Sequence, residues 1–163
     1  MKVSRRDLIG AGLTGVAASV LPVSAASAEA VSAKGLLAPT PPMGWNSWNS
    51  FATTINEAQA RETAQVMADK LLPFGYDVFT IDIQWYEASA SGYNYNSKPE
   101  PAMDGNGRLL PAVNRFPSAA GGRGFAPLAS DVHGMGLKFG IHLMRGIPRL
   151  AVERNLPILG TRH

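Results

Sequence analysis

The order of strand-like and helix-like segments after residue 38 constrains the fold of this chain most strongly. Apolar, β-favouring segments lie at residues 43–48, 76–83 and 137–144. Helix patterns lie between them, at residues 56–72 and at residues 125–135. The order strand, helix, strand, loop plus helix, strand predicts a parallel α/β sheet with right-handed crossovers. Hydrophobic periodicity alone does not distinguish an open doubly wound sheet from a closed barrel.

The first helix has the clearest signals. Asn56 is a suitable N-cap, and Gln59 stands three residues later as the partner in a capping box. Pro73 and Gly75 are expected to end the helix. Its apolar stripe consists of Ala60, Ala64, Met67 and Leu71. The following strand is a continuous apolar run, which predicts burial on both faces.

Residues 86–123 are rich in Gly, Pro, Asn and Ser and have no clear period. They are expected to form a long loop, and loops of that size in compact domains are usually functional. No Gly-x-Gly-x-x-Gly pattern follows the first strand, because Gly105 and Gly107 lie inside this loop. Nucleotide binding is therefore not expected.

Composition and charge exclude several classes of function. The 163 residues suffice for one domain, and the formal net charge is only +3. Residues 1–28 contain three of the cations and one anion, so little net charge remains beyond them. No nucleic-acid partner is expected. The absence of cysteine excludes disulfides, thiolate zinc sites and a cysteine nucleophile.

The N-terminus has the three parts of a secretory signal. A basic start containing Arg5 and Arg6 precedes a moderately apolar run, and Ala-Ser-Ala at residues 26–28 fits a cleavage site. We therefore expect a twin-arginine-like signal at residues 1–28, a linker at 29–38 and a periplasmic or extracellular location. An uncleaved membrane anchor is the alternative, but the apolar run falls short of the ~20 residues that span a bilayer. Stable membrane insertion is not expected.

Candidate functional residues stand where the predicted strands end, because such ends line the site of a parallel α/β fold. Four side chains qualify: Trp45, Asp82, Trp85 and His142. A carboxylate flanked by indole rings suits a sugar, since carboxylates accept from hydroxyl groups and indole faces cover the apolar side of a pyranose ring. The pattern therefore favours a carbohydrate-binding site.

Each candidate also has a purely structural interpretation. Asp82 could cap a helix or pair with a cation, Trp45 and Trp48 could both lie in the core, and His142 could be a hydrogen-bonded core histidine. Three acidic residues of the long loop are expected to be solvated: Glu87, Glu100 and Asp104. His133 and His163 have no partner at ligand spacing, so neither a metal site nor a cofactor is expected.

Three motifs resemble glycoside hydrolase family 27, the α-galactosidase family. They are Met-Gly-Trp-Asn-Ser-Trp at residues 43–48, Ile-Asp-Ile-Gln-Trp at 81–85 and Gly-Leu-Lys-Phe-Gly-Ile-His at 136–142. They occur in the family's order and at its spacings, and the resemblance spans about residues 39–160. It implies a (β/α)₈ TIM barrel, of which residues 39–163 would form about the first three β/α units. No cofactor is implied.

The resemblance also assigns roles to the sugar-site residues. Trp45 is expected to wall the galactose subsite, and Asp82 matches the first of two family aspartates that bind the 4- and 6-hydroxyl groups. The second aspartate is replaced by Ile83, and the tyrosine common at the end of the third strand is replaced by His142. These departures leave two specificities open, terminal α-galactosyl and β-L-arabinopyranosyl residues.

Retaining catalysis needs two carboxylates about 5–5.5 Å apart. The resemblance places both on the fourth and sixth strands, so the nucleophile and the acid/base are expected beyond His163. No residue of this chain matches either. We therefore expect the 163-residue chain to be a truncated part of the enzyme and inactive on its own, with a non-enzymatic remnant as the alternative. An incomplete barrel leaves an open sheet edge, which predicts instability.

Overall fold

The computed structural model describes residues 40–94, 96 and 98–161. The predicted signal at residues 1–28 and the linker at 29–38 lie outside the described residues. The described part contains three strands, four helices and two 3₁₀ turns. In chain order these are β1 Gly44–Asn46, α1 Trp48–Phe51, α2 Glu57–Lys70, the turn Leu72–Phe74, β2 Val78–Ile81, the turn Pro117–Gly122, α3 Ala126–Gly134, β3 Lys138–Ile141 and α4 Arg149–Glu153.

The three strands form one parallel sheet in the order β1-β2-β3. Helix α2 connects β1 to β2, and α3 connects β2 to β3, so the predicted strand and helix order is confirmed. In this register Trp45 is paired with Phe79, and Phe79 with Phe139. Their rings form a row across the sheet, with centroids 5.1 Å and 6.4 Å apart. Gly44 allows β1 to approach β2, because a Cβ there would overlap the carbonyl oxygen of Val78.

Helix α2 begins as the sequence predicts. The Asn56 side chain accepts from the Gln59 N–H at 3.0 Å, and the Gln59 side chain accepts from the Asn56 N–H at 3.0 Å. The helix ends at Lys70, and the turn Leu72–Phe74 follows, closed by Gly75 at φ +87°. Three members of the predicted stripe are buried: Ala60, Ala64 and Met67. Leu71 lies past the helix end and is partly exposed.

The core lies between the sheet and the two long helices. It joins the buried faces of α2 and α3 to Phe79 and Ile81 of β2. The alternate residues of β2, Val78 and Thr80, are only half-buried. The prediction of burial on both faces of this strand was therefore wrong for the described part of the chain, where helices cover one face only.

The long loop between β2 and α3 is fixed by one buried arginine. The Arg115 guanidinium donates to the carbonyl oxygens of Gln84, Glu87 and Ile55 at 2.7, 2.9 and 2.6 Å, and also to that of Thr53. Burial lowers the pKa of Arg115, and the nearby Glu87 carboxylate opposes that shift. These contacts hold the start of the loop, its end and the segment before α2 together.

Glu87 was expected to be solvated, and this prediction was wrong. Its side chain is buried, and its Oε1 accepts from the Ser89 hydroxyl at 2.8 Å. Asp104 instead pairs at the surface with Arg108, with N and O atoms 2.6 Å apart. Glu100 is exposed, as expected. Among the described residues, no helix is long and apolar enough to cross a bilayer.

Candidate functional site

The carboxyl ends of β1, β2 and β3 meet at one edge of the sheet, as parallel strands require. The chain leaves β1 into Ser47 and Trp48, leaves β2 into Asp82 and leaves β3 into His142. Two backbone hydrogen bonds extend the pairing by one residue. The Ser47 N–H donates to Thr80 at 3.1 Å, and the His142 N–H donates to Ile81 at 2.8 Å. The positions after the three strands are therefore held side by side.

Asp82 is the centre of this edge. Its backbone N–H donates to the buried Ser47 hydroxyl at 2.9 Å, which joins the ends of β1 and β2. Its carboxylate Oδ1 accepts from the Ile83 N–H at 2.7 Å and lies 3.1 Å from Nδ1 of His142. The carboxylate is thus oriented by neighbours that follow the ends of β2 and β3.

The charge of Asp82 is set by two opposing effects. Burial raises the pKa of this carboxyl, but hydrogen bonds from the Ile83 N–H, the Asn46 side chain and His142 outweigh burial and hold the pKa below its usual range. Asp82 is therefore ionised at neutral pH. An ionised carboxylate is a strong acceptor for hydroxyl groups.

Asn46 connects Asp82 to Trp48. Its side chain hydrogen-bonds the Asp82 carboxylate. Its Oδ1 also accepts from the Trp48 N–H at 2.8 Å, at the start of α1. One amide therefore links the Asp82 carboxylate to the backbone of Trp48 on a different segment.

These residues border an open cleft of about 410 Å³. We call it the Asp82 cleft; its lining consists of Asn46, Trp48, Asn49, Asp82, Ile83, His142 and Met144. Ile83 contributes an apolar wall beside the carboxylate. The His142 side chain is 49% exposed, so the interpretation as a core histidine was wrong. The Trp48 ring is half-buried and meets Tyr93 edge-on at 5.6 Å.

Trp45 does not line the Asp82 cleft, although the sequence predicted that it would wall the site. It is the middle residue of β1, paired with Phe79, so its side chain points to the helix-covered face of the sheet. There it stacks on Phe79 at 5.1 Å and meets Phe51 edge-on at 6.2 Å. Trp48 lies three residues further on, beyond the strand end, and reaches the cleft instead.

Trp85 was also predicted to contact the ligand, and the structure places it in the core. Its ring is 3% exposed and packs edge-on against Tyr86 and Phe125. Its indole N–H donates to the His142 carbonyl oxygen at 3.0 Å. Trp85 therefore supports the backbone of a cleft residue rather than facing the cleft.

Sequence reasoning missed Asn46 and Trp48 as cleft residues, although a signal was present. Both belong to the same motif as Trp45, and side chains alternate between faces along a strand. Among residues 40–94, 96 and 98–161, no group of three His, Asp or Glu side chains is placed to hold a metal ion.

Comparison with known proteins agrees with the family resemblance of the three motifs. The melibiase family model, described as alpha galactosidase A, matches residues 40–150. The α-galactosidase of Coffea arabica is 39% identical over 104 residues, which are 63% of this chain and 23% of that protein. The α-galactosidase of Cyamopsis tetragonoloba is 38% identical over 107 residues, or 65% of this chain and 22% of that protein.

Two solved structures are more similar. A family 27 β-L-arabinopyranosidase from Geobacillus stearothermophilus is 54% identical with a TM-score of 0.74, covering 76% of this chain and 28% of its own. A variant of that enzyme was solved in complex with arabinose. A Bacillus halodurans protein provisionally assigned as an α-N-acetylgalactosaminidase is 52% identical with a TM-score of 0.70, covering 78% of this chain and 29% of its own.

This chain therefore spans about a quarter of the length of the relatives that it matches. The solved relatives imply that its parallel sheet and covering helices are part of a TIM-barrel-derived fold.

Proposed function

Because the chain belongs to glycoside hydrolase family 27, the α-galactosidase family, we propose that it supplies the first three β/α units of a retaining (β/α)₈-barrel glycosidase. The whole enzyme would remove a terminal pyranosyl residue from an oligosaccharide or polysaccharide. The observation that carries the proposal is the ionised Asp82 carboxylate, which lies in the same open cleft as the Trp48 indole ring.

The chemistry of the cleft suits a pyranose ring. The Asp82 carboxylate would accept hydrogen bonds from two adjacent hydroxyl groups, since its two oxygens have about four lone-pair sites. The Trp48 ring would cover the apolar face of the sugar. Asn46 hydrogen-bonds both the Asp82 carboxylate and the backbone N–H of Trp48, so the two segments that carry these groups would need little rearrangement on binding the sugar.

Asp82 is suited to binding rather than to proton donation. A general acid for glycoside hydrolysis needs a raised pKa, whereas the pKa of Asp82 is lowered. Family resemblance assigns the nucleophile and the acid/base to the fourth and sixth strands of the barrel. We therefore propose that the described residues bind and orient the sugar, and that the 163-residue chain alone does not hydrolyse it.

The apolar side chain of Ile83 favours β-L-arabinopyranosides over α-galactosides. Ile83 lines the cleft where the family usually has a second aspartate, so that acceptor for the 6-hydroxyl group is missing. β-L-Arabinopyranose has the ring hydroxyl arrangement of α-galactose but lacks the hydroxymethyl group. A lost hydroxyl costs affinity only where the site is built to bind it. The identity of 54% with the Geobacillus β-L-arabinopyranosidase supports the same preference.

A chimera tests both levels of the proposal. Residues 40–161 would replace the matching segment of the Geobacillus enzyme, and kcat/KM would be measured on p-nitrophenyl β-L-arabinopyranoside and p-nitrophenyl α-galactoside. We expect the arabinopyranoside to be preferred, Ile83→Asp to shift the ratio towards the galactoside by roughly tenfold or more, and Asp82→Ala to abolish both activities.

Two outcomes would count against the proposal. A folded chimera whose rates do not change with Asp82→Ala would remove Asp82 from the sugar site. A strong preference for the galactoside with Ile83 in place would contradict the assigned specificity and leave α-galactosidase activity as the function. Export through a twin-arginine signal is a separate proposal, tested by fusing residues 1–38 to a reporter and replacing Arg5 and Arg6 with Lys.

A further inference from the structure

Trp48, the aromatic wall of the Asp82 cleft, lies on a short helix. Helix α1 has four residues, and none of them is buried. The Asn46 hydrogen bond fixes the backbone of Trp48 but not the direction of its side chain. A half-buried side chain has more than one staggered rotamer, and a sugar that stacks on the ring must select one of them. The affinity for the sugar therefore depends on what orients the indole ring before the sugar binds.

Tyr93 contacts the Trp48 ring from the long loop between β2 and α3. The two ring centroids are 5.6 Å apart, and the ring planes lie at 89° to each other. This edge-to-face arrangement is favourable for aromatic pairs, because the positive edge of one ring meets the negative face of the other. Tyr93 can therefore restrain the indole ring without covering both of its faces.

Two further contacts hold Tyr93 against the same helix. Its hydroxyl group donates to the Asn49 carbonyl oxygen at 3.2 Å. The carbonyl oxygen of the preceding residue, Gly92, accepts from the Thr53 hydroxyl group at 2.7 Å and from the Thr53 N–H at 3.4 Å. Thr53 is fully buried, and its own carbonyl oxygen accepts from Arg115. The loop at Tyr93 is therefore tied to the core beside α1.

The position of Tyr93 is not that of a core residue or of a cleft wall. Its side chain is 60% exposed, so it buries little apolar surface. It does not line the Asp82 cleft, whereas the two residues that it contacts on α1, Trp48 and Asn49, both do. The contacts of Tyr93 are thus directed at residues that border the site.

We propose that Tyr93 is a positioning residue of the sugar site, which holds the Trp48 ring in the orientation that stacks on the pyranose. The inference rests on the proposed function, because it takes Trp48 as the ring that covers the sugar. Tyr93 acts through Trp48 and does not touch the sugar. A side chain that is already ordered loses less freedom when a ligand binds. The indole ring covers the sugar before and during the reaction, so the effect of Tyr93 falls on KM rather than on kcat.

The test uses the Geobacillus chimera, with p-nitrophenyl β-L-arabinopyranoside as substrate and L-arabinose as competitive inhibitor. We expect Tyr93→Ala to raise KM and the inhibition constant of L-arabinose by about three- to tenfold, which is the range that an aromatic pair contributes. The value of kcat should change by less than about twofold. Tyr93→Phe keeps the ring contact and should return both constants to within about twofold of the parent chimera.

Asn94→Ala is the matched control. Asn94 is the next residue of the same loop, its side chain is exposed, and it does not line the Asp82 cleft. We expect it to leave KM and the inhibition constant unchanged. Neither Tyr93→Ala nor Asn94→Ala should change the midpoint of thermal unfolding, because substitutions of exposed side chains usually have small effects on stability.

A double-mutant cycle separates a positioning role from a merely structural one. If Tyr93 acts through Trp48, Tyr93→Ala should have no further effect on KM in a chimera that already carries Trp48→Ala. A structural role in the loop would instead lower the thermal midpoint and add the same factor in both backgrounds.

Failure of this inference is distinguishable from failure of the proposed function. Additive effects in the cycle, or an unchanged KM in Tyr93→Ala while Trp48→Ala raises it, would overturn the positioning role and keep the proposed function. An active chimera that responds neither to Trp48→Ala nor to Asp82→Ala would overturn both.

Discussion

Replacing Arg115 with Met should release the long loop between β2 and α3. The guanidinium of Arg115 is buried and donates to four backbone carbonyl oxygens on two segments, the start of the loop and the segment before α2. Methionine has a similar length and no donor, so the change leaves those carbonyl groups unpaired and removes the positive charge that lies near the buried Glu87 carboxylate. Removing one member of a buried charged network typically costs about 3–5 kcal/mol.

Amide hydrogen exchange within the loop measures this loss of stability. The amides of Ala102 and Ala112 donate across the loop to Tyr86 and Trp85, at 2.8 and 3.1 Å, so they report its opening. In the Geobacillus chimera we expect Arg115→Met to lower their protection by about two to four powers of ten, because each tenfold corresponds to about 1.4 kcal/mol. The amides of α2 that lie far from Arg115 should change much less.

The control is Arg108→Met in the same loop. The Arg108 side chain is 63% exposed and makes one ion pair with Asp104, and such exposed pairs contribute little to stability. Adding Glu87→Gln to Arg115→Met should recover part of the lost protection, since it removes the unpaired charge. An equal loss of protection in the Arg115 and Arg108 variants would show that Arg115 does not hold the loop in place.

Three further predictions concern the site and the sheet. In the chimera, Trp48→Ala should lower kcat/KM at least about tenfold through lost stacking. Trp45→Phe should keep its ring contact and change kcat/KM little. A larger loss with Trp45→Phe than with Trp48→Ala would show that Trp45 contacts the sugar. The pKa of Asp82 in the folded protein is lowered from the ordinary value of 3.8. The ionised carboxylate therefore supports stability and sugar binding above pH 3.8, and both are lost as the pH falls through the pKa of the folded protein. Asn46→Leu should move that acid limb of kcat/KM to higher pH, and an unmoved limb would contradict the assigned hydrogen bond. The isolated 163-residue chain should aggregate or unfold without a cooperative urea transition, so a two-state transition with a slope normal for its size would contradict the proposed incomplete barrel.

The local parts of the fold could be predicted from the sequence because their causes are local. The capping box of α2 needs only Asn56 and Gln59, which are three residues apart. The parallel order of the strands follows from the length and alternation of the segments. Burial on one face of β2 was not predictable in the same way, because it depends on which segments cover the sheet in space.

The burial of Glu87 could not be predicted from local sequence patterns. Glu87 lies in a polar, glycine-rich and proline-rich loop, which is typical of a solvated acid. Its charge partner Arg115 is far along the chain, and the guanidinium is fixed by carbonyl oxygens that also come from the segment before α2. No residue type identifies a backbone carbonyl as the partner of an arginine, so the sequence has no signal for this network.

Trp48 lines the Asp82 cleft and Trp45 does not, because of the geometry of the end of β1. Both indole rings belong to one short motif, and residue type alone makes them equivalent as walls of a sugar site. A residue inside a parallel strand is committed to one face by its register, and pairing with Phe79 commits Trp45 to the face that the helices cover. A residue beyond the strand end is free of that register, and the Asn46 hydrogen bond to its N–H holds Trp48 at the edge where Asp82 also lies. For sequences of this type, the boundary of the strand, rather than the identity of the aromatic residue, therefore determines which tryptophan contacts the ligand.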